Sequence, residues 1–120
     1  MIGKLGIIML VVKDMDRSMR FYRDVLGLTM LFHTQDWSQL DAGHIQIGLH
    51  PEGNEVKVSP SPGCTFGFLV DDIAATTGKL KSKDTHFVLE PRLDGTSWIA
   101  LFTDPDGYLI QLVQLPRQKS

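Results

Sequence analysis

The chain has 120 residues, 42% of them apolar, a formal net charge of −2 and a pI near 6.0. That is enough for one domain with a real core, and it excludes the basic surface that nucleic acid or an anionic membrane would require. One cysteine, Cys64, excludes an internal disulfide, and no Cys/His cluster suggests zinc, so a reducing, cytoplasmic setting is expected.

Leu5 to Val12 is almost continuously apolar and rich in β-branched residues. It is too short to span a bilayer, lacks a following small-residue cleavage site, and reads as a strand covered on both faces. Asp14 and Asp16 are good N-caps for the helix that follows, with Met15, Met19, Tyr22 and Leu26 as its apolar stripe and Gly27 as its left-handed stop. Thr29 to Thr34 and Ser38 to Asp41 read as short strands about a Gln35-Asp36 turn. His44 to His50 alternates, with Ile45, Ile47 and Leu49 on one face and His44, Gln46, Gly48 and His50 on the other.

Residues 51–63 are rich in proline and glycine without a period and read as a linker between modules at about 4–50 and 64–114. Phe66, Phe68 and Val70 alternate with Thr65, Gly67 and Leu69, and Asp71-Asp72 repeats the strand-to-helix cap. A shift of 58 residues lays Val70 on Val12, Asp72 on Asp14 and Leu80 on Tyr22, an internal repeat. A weaker helix over Asp72 to Ser82 is followed by strands over His86–Glu90, Ser97–Phe102 and Tyr108–Val113. Asp104-Pro105-Asp106-Gly107 turns between the last two, and a polar tail runs from Pro116 to Ser120. The fold class is α+β, two β-α-β-β-β modules.

The D-x-D-R-S-x-x-F-Y-x-x-V-L-G-L stretch after the first strand and F-x-D-P-D-G-Y before the last resemble the vicinal oxygen chelate superfamily, over Lys4 to Gln114. Glyoxalase I, bleomycin-resistance proteins and extradiol dioxygenases belong to it. The resemblance implies a cupped, eight-stranded incomplete barrel with helices outside, a ligand groove inside, and a homodimer. It also implies metal ligands, His or Glu, at positions that fall here on Ile7, Gly48 (or, with a small gap, near Gln46), Thr65 and Gln111. None of these is a carboxylate or imidazole, so no metal or other cofactor is expected.

Strand alternation puts Gln111 opposite Ile110 and Leu112, and Trp98 and Phe102 opposite Ile99 and Leu101, with Met9 in phase with Ile7. Met9, Gln46, His50, Trp98, Phe102 and Gln111 are therefore the candidate ligand-binding residues, an apolar and aromatic lining with a few polar groups. Trp37 lies beside a turn, Arg92 reads as a solvated loop cation with a place at the groove mouth as the alternative, and Cys64 reads as a structural thiol. The expected function is metal-independent binding of a small apolar or planar ligand by a homodimer. The alternative is a divergent lyase, isomerase or dioxygenase whose displaced metal site uses His44, His50 or partner-chain residues. A structural accessory domain with an empty groove is a third reading.

Overall fold

The computed structural model describes residues 1–60 and 63–116. The end of the polar tail and two residues of the linker lie outside the described residues. The chain divides into two compact units, Met1–Ser59 and Pro60–Ser120, with the division falling in the proline-rich stretch of the sequence.

In the first unit, β1 (Ile7–Val12) runs into Asp14, whose extended backbone (φ −133°) lets its Oδ1 accept from the Arg17 N–H at 3.0 Å. That bond satisfies one of the donors the first turn leaves free, and α1 (Met15–Arg20) begins there. The helix continues as a π-helical turn over Phe21–Val25, and Gly27, at φ +79°, supplies the left-handed stop. β2 (Thr29–His33), β3 (Ser38–Asp41) and β4 (Gln46–Pro51) complete a sheet of order β1-β4-β3-β2, with β1 and β4 parallel. Met15, Met19 and Tyr22 of the helix and Leu10, Val12, Leu40, Ile47 and Leu49 of the sheet are buried, so one sheet face is core.

The second unit repeats the order: β5 (Phe66–Leu69), α2 (Ile73–Lys81), β6 (Phe87–Asp94), β7 (Ser97–Thr103) and β8 (Leu109–Gln114) form a sheet of order β5-β8-β7-β6. Asp72, at φ −138°, caps α2 by accepting from the Ala75 N–H at 3.0 Å, as Asp14 caps α1. Ile73, Leu80, Ala100, Phe102, Ile110 and Leu112 are the buried apolar residues among those described in this unit. The fold is α+β, two β-α-β-β-β modules.

Four local expectations change. β4 starts at Gln46, so His44 sits in the exposed turn after Gly43 and does not share a strand face with His50. β6 runs through Pro91 to Asp94, which makes Arg92 a strand residue opposite Ile99 rather than a loop cation. Proline is tolerated because β6 is an edge strand and its register shifts between Leu89 and Arg92. Asp16 is no cap; its carboxylate is held by His33 and Gln35 instead. Cys64 is exposed ahead of β5.

Candidate functional site

In the first unit the pairing of Ile7 with Gln46 and Met9 with Gly48 puts these residues, with His50 and Gln39, on the sheet face turned away from α1. Trp37, one residue before β3, has the same parity as Gln39 and crosses to Gly48. A Cβ built on Gly48 would lie 2.3 and 2.4 Å from the Cη2 and Cζ2 atoms of the indole and 3.2 Å from Ile7 Cδ1. No side chain real proteins carry approaches so closely, so only glycine leaves room for the edge of the Trp37 ring. The indole Nε1–H donates to Gln39 Oε1 at 3.0 Å, and Gln39 Nε2–H donates onward to Gln46 Oε1. His50 stands edge to face with Trp37, ring centroids 6.4 Å apart, and its Nδ1 lies 2.6 Å from the Pro51 carbonyl oxygen. Met9 and Ile7 remain 46% and 42% exposed on this face.

In the second unit Gln111 is on the face away from α2, opposite Gly67 and Leu101. A Cβ on Gly67 would lie 3.3 Å from the Gln111 Oε1, a close approach that glycine permits. Trp98 and Phe102 are elsewhere. They pair with Gln114 and Ile110, which places them on the helix-covered face and not with Gln111. Phe102 is fully buried against Phe87, ring centroids 5.5 Å apart, and is core. Trp98, 39% exposed, borders a cavity of about 260 Å³ with Asp72, Ile73, Ala74, Pro91 and Gln114, beside the start of α2. The alternation with Ile99 and Leu101 holds, but the core side is the reverse of the one expected, because both faces of β7 are apolar: Ala100 and Phe102 are the core pair, while Ile99 and Leu101 lie on the other face.

Sequence reasoning left Trp37 beside a turn and missed Gln39. The available signal was the buried pair Ser38 and Leu40, whose alternation sends residues 37 and 39 together to the opposite face.

Asp16, His33 and Ser38 also fall in line: His33 Nε2 is 3.1 Å from Asp16 Oδ1, and its Nδ1 is 2.6 Å from Ser38 Oγ. The order resembles a nucleophilic triad, but Ser38 is fully buried and its hydroxyl donates to the Thr34 carbonyl at 3.1 Å. No substrate reaches that oxygen. The cluster ties α1 to β2 and β3, and the Gln35 amide and then His33 hold the Asp16 carboxyl below the usual carboxylate range.

The family model described as Glyoxalase/Bleomycin resistance protein/Dioxygenase superfamily matches residues 4–112. The chain belongs to that superfamily. Within it, a probable lactoylglutathione lyase of Vibrio parahaemolyticus is 32% identical, over 93% of this chain and 91% of that protein. A lactoylglutathione lyase of Haemophilus influenzae is 30% identical over 93% of both. Among solved structures, TnmS3, an antibiotic binding protein from a Streptomyces species, superposes with a TM-score of 0.81 at 21% identity, over 95% of this chain and 97% of that one. Such a likeness carries the fold alone.

At the positions where the resemblance to this superfamily implies metal ligands, the residues present do not suit a metal ion. Ile7 and Gly48 offer an alkyl group and no side chain, and the Trp37 edge fills the space a carboxylate at 48 would need. Thr65 and Gln111 offer a neutral hydroxyl and a neutral amide, poor replacements for imidazole and carboxylate. Among the described residues no three His, Cys, Asp or Glu side chains group closely enough to hold an ion. No helix among them is long and apolar enough to cross a membrane.

Proposed function

We propose that this member of the superfamily binds a small, planar, largely apolar molecule without a catalytic metal, and that it does so as a homodimer. The observation that carries the reading is the Trp37 indole standing in the side-chain space of Gly48. Where the resemblance implies a metal ligand, this face holds an aromatic wall, flanked by Met9, Ile7, Gln46 and His50. An apolar lining with a few directed polar groups is the usual composition of a small-molecule site. Gln111 is the corresponding polar group of the second unit.

The lactoylglutathione lyases at about 30% identity favour a second reading, a lyase with a rearranged metal site. Elemental analysis of protein purified without chelator, together with turnover of lactoylglutathione after addition of Ni²⁺ or Zn²⁺, separates the two. The binding reading expects no stoichiometric metal and no turnover. One bound ion per chain with metal-dependent turnover overturns it in favour of the lyase.

A further inference from the structure

Resting on the binding reading above, we infer that the Trp37 face of the first unit selects neutral planar aromatics with a hydrogen-bond donor at one edge and a carbonyl at the opposite edge. The argument is one of hydrogen-bond polarity. An indole N–H can only donate, so Gln39 must turn its oxygen toward Trp37 and its nitrogen toward Gln46. Gln46 must then accept through its oxygen, and its amide nitrogen, which has no partner among the described residues, becomes the end of the relay. The relay therefore presents N–H donors and calls for an acceptor on the ligand. Asp41 is the register partner of Gln46 across β3 and β4, and its negative charge favours a neutral carbonyl over an anion.

At the other end the polarity is reversed. The Pro51 carbonyl can only accept, so His50 Nδ1 carries the hydrogen, and in the neutral ring Nε2 is left as an acceptor that calls for a donor. Gln46, Gly48 and His50 alternate along one strand face, so the two ends are about 13 Å apart between Cα atoms. Trp37 stands over Gly48 between them. One or two fused rings stacked on that indole would bridge both ends.

Calorimetric titration of the full chain with 4-quinolone, 1-methyl-4-quinolone and naphthalene tests this. The first probe has a ring N–H and an opposed carbonyl, the second only the carbonyl, and the third neither. In the wild type each missing group should weaken binding by about 2- to 10-fold, the worth of one neutral hydrogen bond. The methylation penalty should vanish in His50→Phe. In Trp37→Phe a ring remains but nothing polarises the relay, so the preference for 1-methyl-4-quinolone over naphthalene should fall away. These are ratios within each variant, so a general loss of stability does not imitate them. A methylation penalty unchanged in His50→Phe, or a carbonyl preference unchanged in Trp37→Phe, overturns the inference. If the probes bind but only Gln111→Leu weakens them, the inference fails and the binding reading stands. If no probe binds the wild type at millimolar concentration, the binding reading fails with it.

Discussion

Trp37 and Gly48 form a couple in which each residue makes sense only through the other. Gly48→Glu should destabilise the protein by about 1–3 kcal/mol because the indole has nowhere to go. Trp37→Ala should relieve much of that cost, so that urea unfolding of the double variant shows clear non-additivity. Simple additivity would mean that the ring moves aside freely. Asp16 gives a pH dependence. Its carboxyl lies below the usual range because Gln35 and His33 bond the ionised form, so the stabilisation is fully present above the unfolded-state value and is lost as pH falls through the lowered one. Urea midpoints of wild type and Asp16→Asn should therefore converge between about pH 5 and pH 2. A gap that stays constant across that range would assign the Asp16 contribution to something other than its charge.

Helix starts were legible because capping is local chemistry. Asp14 and Asp72 each follow a strand, each take an extended backbone, and each accept from the N–H three residues on. Asp14→Ala and Asp72→Ala should each cost about 1 kcal/mol in chemical denaturation, and nearly additively, since each caps a different helix in a different unit. Asp16 looked equally suited to a cap, but its partners lie 17 and 19 residues away, where local reasoning does not reach. Strand faces were legible where one face is polar, as in β4, where Gln46 and His50 oppose Ile47 and Leu49. In β7 both faces are apolar, so alternation carried no sign and the cross-strand register alone assigned Trp98 and Phe102 to the helix side.

At the scale of the whole molecule, Phe32, Leu69, Val88 and Leu93 are each at least half exposed. The proposed homodimer should appear in sedimentation velocity at micromolar concentration as a species near twice 13.4 kDa, and a clean monomer would remove it. What the amino-acid sequence determined by itself is what short-range physics determines: two caps, two amphipathic helices, eight strands near their observed positions and their repetition at a shift of 58 residues. That Ile7, Thr65 and Gln111 are neither imidazole nor carboxylate can also be read directly, because it is a matter of residue type alone. What surrounds Gly48 is set by tertiary structure instead. That Trp37 reaches from the start of β3 over to Gly48 on β4, and that Gln39 links it to Gln46, depends on antiparallel register between strands joined by a turn. A one-residue slip in that register would send every one of these side chains to the opposite face, and nothing local in the chain reports it.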